Sequence, residues 1–182
     1  MKTAFLFLAT GFEEIEAVGT IDVLRRGGVE LTTVSVTADR TVKGVHQIPV
    51  IADKLFQEVA FADADALILP GGGPGSQLLN QHKELKEWLV KQHKQGKIVA
   101  AICAAPRVLG GLGILEGRKA ICYPGTEPEL KGAILTDKPA VVDGHIITGK
   151  GPGLVYDFGL TLLTALEGPE TAASVAADLL IW

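Results

Sequence analysis

Short, continuously apolar segments alternate with longer amphipathic ones along this chain, and glycine or proline separates them. Residues 3–9, 66–70 and 97–102 have the pattern of strands that are buried on both faces of a sheet. The segments between them carry apolar residues at helical spacing. Buried strands that alternate with helices predict a doubly wound α/β fold, in which helices sandwich a mostly parallel sheet.

The helices and remaining strands follow from the same pattern. In the first helix, Ile15, Val18, Ile21 and Leu24 are spaced as an apolar face. The pair Asp143-Gly144 predicts a hairpin turn, and Pro49 favours an edge strand or hairpin arm over a central strand. Helices are predicted at 13–26, 77–94, 154–166 and 169–180, with another starting at about Ala104, and further strands at 29–36, 43–52, 119–122, 140–142 and 145–148.

Length and composition limit the classes of protein that fit. A chain of 182 residues predicts one domain, 1–182, and 21 acidic against 17 basic residues predict no nucleic-acid partner. Two cysteines are too few for a disulfide scaffold and indicate a reduced compartment. The apolar run at 4–9 is too short for a membrane segment and leads into acidic residues rather than a cleavage site. We therefore expect a cytoplasmic protein that does not contact membranes.

Cys103 stands directly between a predicted buried strand and a predicted helix. This placement predicts a sharp turn, with the sulfur near a helix N-terminus that lowers the thiol pKa and favours the reactive thiolate. The backbone N–H of Ala104 would then face an oxyanion on a bound substrate. The alternative is that Cys103 is a small buried core residue, as we expect for Cys122.

Glu16 lies between apolar neighbours on the first helix, whereas Glu13 and Glu14 fit exposed positions that interact with the helix dipole. If burial keeps Glu16 protonated, it could hydrogen-bond the thiolate or transfer a proton. The alternative for Glu16 is a further dipole interaction.

The glycine-rich and histidine-containing segments give weaker signals. The glycines at 71–75 match a dinucleotide fingerprint incompletely, and they fit a tight turn whose N–H groups approach an anion. No metal-ligand spacing is present, so we predict no metal and no cofactor. His82, His93 and His145 are expected at the surface, and Asp22 with Arg26 forms an i,i+4 surface pair.

Four motifs taken together resemble the ThiJ/PfpI superfamily, in the branch that contains the human Parkinsonism-associated deglycase and its bacterial homologues. They are Ala-Thr-Gly-Phe-Glu-Glu-Ile-Glu at 9–16, Leu-Pro-Gly-Gly at 69–72, Ala-Ile-Cys-Ala-Ala-Pro at 101–106 and Gly-Pro-Gly at 151–153. The resemblance covers essentially the whole chain. It implies a flavodoxin-like sandwich, a homodimer and a cysteine on a nucleophile elbow.

The resemblance also implies roles for individual residues. Cys103 matches the reactive cysteine and Glu16 the protonated glutamate that hydrogen-bonds it, while Gly72 and Ala104 match the backbone donors beside the sulfur. His46 falls where this branch has a polar residue that reaches the partner subunit's site. Tyr123 stands where many relatives have histidine, and a phenol is a poor base at neutral pH, so no Cys–His pair is available there.

Our leading hypothesis is therefore a cysteine-dependent, cofactor-independent enzyme for reactive carbonyls. It would convert methylglyoxal to lactate or remove early glycation adducts, protecting against carbonyl and oxidative stress. The alternative is a redox-sensing chaperone in which Cys103 is oxidised to sulfinate. A cysteine peptidase or amidase fits less well because no histidine neighbours the cysteine.

Overall fold

The central element is a seven-stranded sheet, seen in a computed structural model that describes residues 1–181. Its strands are β1 (Thr3–Leu8), β2 (Glu30–Ser35), β5 (Lys54–Leu55), β6 (Ala66–Leu69), β7 (Ile98–Ile102), β10 (Ala140–Asp143) and β11 (Ile146–Gly149). Their order across the sheet is β10-β11-β7-β6-β1-β2-β5, and every pair is parallel except the β10–β11 hairpin at one edge. The predicted doubly wound fold is confirmed.

Six α-helices among the described residues cover the two faces of this sheet. Their bounds are α1 (Glu14–Arg26), α2 (Gly73–Gln81), α3 (Lys83–Lys94), α4 (Pro106–Gly111), α5 (Val155–Glu167) and α6 (Pro169–Asp178). No helix in residues 1–181 combines the length and the apolar character needed to cross a membrane.

The alternation of side chains along each strand produces two hydrophobic cores. In β1, Leu6 and Leu8 point toward α1, α5 and α6, whereas Phe5 and Phe7 point toward α2, α3 and α4. Because both faces are covered, the central strands need apolar residues at every position. This explains why their sequences are continuous apolar runs.

Three predicted elements differ from the structure. The predicted helix at 77–94 is two helices, because the backbone of His82 is extended and its Nδ1 accepts the Leu85 N–H at 3.2 Å to cap α3. The helix expected from Ala104 begins at Pro106, two residues later. The strand at 119–122 is only β8 (Lys119–Ala120), which pairs with β9 (Ile134–Leu135) outside the main sheet.

The segment at 43–52 forms a small separate hairpin. Its strands are β3 (Thr41–Lys43) and β4 (Pro49–Ile51), paired antiparallel, and Pro49 occupies the end of the ladder. The turn of this hairpin, residues 44–48, lies against the start of α1, because the Val45 N–H donates to the Phe12 carbonyl and the His46 N–H donates to the Glu14 side chain.

The apolar face predicted for α1 is wrong for two of its four residues. Ile15 and Val18 are 58% and 48% exposed, whereas Glu14 and Glu16 are buried. The helix is rotated because Ala17, Val23 and Leu24 pack into the core that α1 shares with α5. Two carboxyl side chains therefore enter the protein while two aliphatic side chains face outward.

Candidate functional site

Three loops meet at the carboxyl ends of β1, β6 and β7, where a parallel sheet places its ligands. The Gly71 N–H donates to Glu16 Oε2 at 2.8 Å, and the Glu13 N–H donates to the Gly71 carbonyl at 3.0 Å. The Cys103 side chain approaches the same glycine, because a Cβ added at Gly71 would lie 2.6 Å from the Cys103 Cβ. The structure thus brings together Glu16, Gly71 and Cys103, which we call the site.

Cys103 sits on a tight turn in a left-handed backbone conformation, with φ of 64°. Its N–H donates to the Gly149 carbonyl at 2.9 Å, and its carbonyl accepts the Tyr123 N–H at 2.8 Å. A side chain at positive φ is strained, and such strain concentrates at functional positions. These two hydrogen bonds hold the turn that a nucleophile elbow requires.

Gly71 is closely packed between the side chains of Glu16 and Cys103. A Cβ at this position would overlap Glu16 Oε2 and approach the Ile102 carbonyl at 3.0 Å. Only glycine leaves room for the loop after β6 to pass between α1 and the end of β7. The tight turn predicted for this glycine loop is present, whereas the approach of its N–H groups to a bound anion stays a prediction.

Glu16 is fully buried, and its two carboxyl oxygens have different surroundings. Oε2 accepts the Gly71 N–H, while Oε1 has no hydrogen-bond partner of standard geometry among the described residues. Burial raises the pKa of Glu16 to about 7, an effect that the Glu13 charge reinforces and that hydrogen bonds from Cys103 and Gly71 oppose. Glu16 is therefore poised to hold or release a proton near neutral pH.

The pKa of Cys103 shifts in the direction opposite to the sequence prediction. Burial, followed by the charge and hydrogen bond of Glu16, raises the pKa of the thiol to about 12, although the N–H groups of Gly72 and Ala104 act to lower it. The side chain is only 7% exposed, and α4, which is six residues long, starts three residues downstream. Its dipole is too small to offset burial, so the thiol keeps its proton at neutral pH while the pKa of the neighbouring Glu16 lies near 7.

Glu13 and Glu14 are buried, contrary to the exposed positions expected for them. Glu13 is the N-cap of α1, and its Oε2 accepts the Glu16 N–H at 2.7 Å. Glu14 Oε1 accepts the His46 N–H at 2.7 Å. Burial acts to raise the pKa of Glu14, but hydrogen bonds from the His46 side chain and from backbone N–H groups hold it below its usual value. Both residues position the loops of the site.

His46 lies on the turn of the β3–β4 hairpin and pairs with Glu14, not with Cys103 of its own chain. Its Nδ1 is 3.0 Å from Glu14 Oε2, and its side chain is 70% exposed. Glu13, Glu14 and His46 are the one group within residues 1–181 whose ligand atoms lie close enough to hold a metal ion, within 4.8 Å of one another. Their oxygens already accept the hydrogen bonds described above.

Tyr123 and Cys122 border the site without joining its polar groups. The Tyr123 ring is half-exposed and lies over Gly151, where an added Cβ would be 3.1 Å from Cδ2. Cys122 is buried as predicted, but it packs into the core beside α4 rather than the core that contains Cys103. Burial raises the pKa of Cys122 to about 11, with added effects from the charges of Glu127 and Glu129.

The other three histidines are partly exposed, and each also contacts another side chain. His93 Nδ1 and His145 Nε2 are 2.9 Å apart and join the end of α3 to the turn of the β10–β11 hairpin. His82 caps α3 and packs on Phe56, with ring centroids 4.5 Å apart. The predicted pair of Asp22 and Arg26 is present at 2.7 Å.

Sequence reasoning missed the structural role of Glu13. The available signal was its position immediately before the helical periodicity, with Glu16 three residues later, which is the spacing of a capping box. Glutamate is an uncommon N-cap residue, and this made its role hard to recognise.

Comparisons with known proteins agree with this fold. The model of the DJ-1/PfpI family matches residues 2–165. Protein DJ-1 homolog A of Arabidopsis thaliana is 39% identical over 99% of this chain, and the match covers 47% of that protein. The chain thus spans about half the length of this plant relative.

Two further relatives match along most of their own length. The Caenorhabditis elegans protein named glutathione-independent glyoxalase DJR-1.2 is 35% identical over 92% of this chain and 89% of that protein. The crystal structure of Drosophila melanogaster DJ-1beta is 36% identical, with a TM-score of 0.95 over 100% of this chain and 98% of that one. The family model matches most of the chain, and both relatives are more than 30% identical to it over most of their length, so the chain belongs to the DJ-1/PfpI family.

Proposed function

We propose that this protein converts small reactive carbonyls, with methylglyoxal as the model substrate, to hydroxy acids through Cys103. The observation that carries the proposal is the coupling of a buried thiol to Glu16, whose pKa of about 7 suits proton transfer at neutral pH. The name of the C. elegans relative, a glutathione-independent glyoxalase, supports the same reaction class.

The first step is addition of the thiol to the aldehyde. The Cys103 proton passes to the Glu16 carboxylate while the sulfur bonds to the aldehyde carbon, and the carbonyl electron pair moves to oxygen. N–H groups of Gly72 and Ala104, which face the sulfur, would stabilise the oxyanion. Glu16 then returns the proton to this oxygen, which gives a neutral hemithioacetal.

The second step moves a proton between neighbouring carbons. The Glu16 carboxylate removes the proton from the carbon bonded to sulfur, which gives an enediolate. Glu16 delivers that proton to the adjacent carbon while the hydroxyl proton moves to the neighbouring oxygen, which gives a neutral thioester of lactate. The unpartnered Oε1 of Glu16 is the oxygen available for this transfer. Water then cleaves the thioester, the sulfur recovers its proton and lactate leaves. The sum is methylglyoxal plus water giving lactic acid.

The test is formation of lactate from methylglyoxal by the purified protein without glutathione. We expect turnover that rises with pH through about 7, where Glu16 becomes able to accept the thiol proton. Cys103→Ser and Glu16→Gln should each lose roughly 100-fold or more. Cys122→Ser is the matched control, because that buried thiol lies in the other core.

Two outcomes would contradict the proposal. Lactate formation by Cys103→Ser at the wild-type rate would show that Cys103 is not the nucleophile. Negligible turnover combined with selective conversion of Cys103 to sulfinate by mild peroxide would instead favour the redox-sensing function.

We further propose that the protein is a homodimer built on the exposed side of α1. Ile15 and Val18 are exposed there, and Asp22 with Arg26 supplies opposite charges that a two-fold related copy of the helix can pair with. The exposed His46 side chain contacts Glu14, which is the first residue of α1. In such a dimer His46 would reach the partner subunit's site.

A further inference from the structure

Glu13 is connected to both polar groups that flank Cys103. Its side-chain Oε2 accepts the N–H of Glu16, and its own N–H donates to the Gly71 carbonyl. The N–H of Gly71 in turn donates to the Glu16 carboxyl. These three hydrogen bonds form a closed ring of Glu13, Glu16 and Gly71, so the orientation of the Glu16 side chain depends on Glu13.

The charge of Glu13 also acts on Glu16. Burial is the main cause of the raised pKa of Glu16, and the negative charge of Glu13 raises it further. The other groups that face Glu16 are the Cys103 thiol and the Gly71 N–H, and both act in the opposite direction. Glu13 is itself only 7% exposed, so solvent screens this interaction weakly.

We propose that Glu13 is a positioning residue that orients Glu16 against Cys103 and, through its charge, controls when Glu16 gives up its proton. This inference rests on the proposed role of Glu16 as the proton acceptor of the thiol. Glu13 does not contact the reacting atoms. Its two contributions, a hydrogen-bond acceptor and a charge, are separable by substitution.

The experiment measures the rate at which iodoacetamide alkylates Cys103 between pH 5 and 9, quantified by mass spectrometry of the Cys103 peptide. It needs no carbonyl substrate, so its result is independent of turnover. Glu13→Gln keeps an acceptor for the Glu16 N–H but removes the charge, while Glu13→Ala removes both. Glu84→Gln, at an exposed position of α3, is the control for loss of one negative charge.

We expect the midpoint of the Glu13→Gln profile to fall by about 0.5 to 1 pH unit, because a nearby like charge has been removed. Its plateau rate and melting temperature should stay close to those of the wild type. Glu13→Ala should show the same shift and also a plateau several-fold lower, since Glu16 loses its orientation. Glu84→Gln should match the wild type.

The outcomes separate this inference from the proposed function. If Glu16→Gln alkylates with the same pH profile as the wild type, the proposed role of Glu16 fails, and the inference with it. If Glu16→Gln changes the profile but Glu13→Gln leaves the midpoint in place, only the role of the Glu13 charge is overturned. Equal plateaus for Glu13→Ala and Glu13→Gln would overturn its role in orientation.

Discussion

Glu16 and Gly71 are joined by a 2.8 Å hydrogen bond that connects α1 to the loop after β6, although 55 residues separate them in sequence. The contact requires glycine at residue 71, because an added Cβ would overlap Glu16 Oε2, the oxygen that accepts the Gly71 N–H. The Glu16 carboxyl is thus held directly by a backbone N–H, while the Glu13 side chain holds the Glu16 backbone.

Gly71→Ala should displace either Glu16 or the Cys103 turn. Forcing a methyl group into such a close-packed point costs roughly 1–3 kcal/mol of unfolding free energy. We expect a lower melting temperature and at least a tenfold slower alkylation of Cys103. Gly73→Ala is the control, since an added Cβ there meets no atom within 4 Å. Equal effects of the two substitutions would refute the argument from close packing.

Glu16 should make the protein less stable as pH rises from about 4.5 to 7. Its pKa is near 4.5 in the unfolded chain and about 7 in the folded protein, so the folded state binds the proton more tightly. The stabilising contribution is complete below pH 4.5 and falls by about 3 kcal/mol once pH exceeds 7.

Chemical denaturation of Glu16→Gln and of the wild type at pH 5 and pH 8 measures this contribution. The wild type should lose stability relative to Glu16→Gln between the two values, and other titrating groups cancel in the difference. A stability difference that is the same at both pH values would show that Glu16 is charged to the same extent in the folded and unfolded states.

The His93–His145 pair should weaken at acidic pH. Burial, followed by the charges of His145 and Arg118, holds the pKa of His93 below 6.5. The folded protein therefore binds a proton on His93 less readily than the unfolded chain, and stability declines as pH falls below about 6.5. The melting temperature of the wild type should drop relative to that of His93→Gln between pH 7 and pH 5. If the melting temperatures of the wild type and His93→Gln change by the same amount between these pH values, this account is contradicted.

Val18→Glu should convert the proposed dimer to a monomer, because it places a charge in the centre of the exposed apolar side of α1. Analytical ultracentrifugation gives the mass directly. Val142→Glu is the control, since this residue is similarly exposed but lies on β10 at the sheet edge. A wild-type mass of one chain, or a dimeric Val18→Glu, would rule out this interface.

The fold was predictable because its strongest signals are local. A continuous apolar strand such as Ile98–Ile102 predicts a buried parallel sheet from a short stretch of sequence. The Asp143-Gly144 turn predicts the antiparallel hairpin at the edge of that sheet in the same way. The juxtaposition of the three loops at the carboxyl ends of the strands then follows from topology. The sequence therefore predicts that Cys103 and Glu16 lie near one another.

The orientation of α1 and the electrostatics of the site were not predictable in the same way. Ile15 and Val18 fit a helical apolar stripe as well as Ala17 and Val23 do, and only the packing of α5 decides between the two sets. The pKa of Cys103 depends on its depth in the protein and on a carboxyl group brought from 87 residues away in sequence. The helix dipole was inferred from the order of strand and helix around Cys103, and that order gives no information on the burial of the thiol or on its distance from Glu16.

The two cysteine thiols of this chain lie on opposite faces of the sheet, with Cys103 in the core beneath α1 and Cys122 in the core on the other face. An oxidised Cys103 thus has no resolving thiol on its own side of the sheet within residues 1–181. Repair of a sulfenic acid at this position must come from a low-molecular-weight reductant or another protein. In the absence of such a donor, damage at Cys103 would accumulate with the age of the molecule.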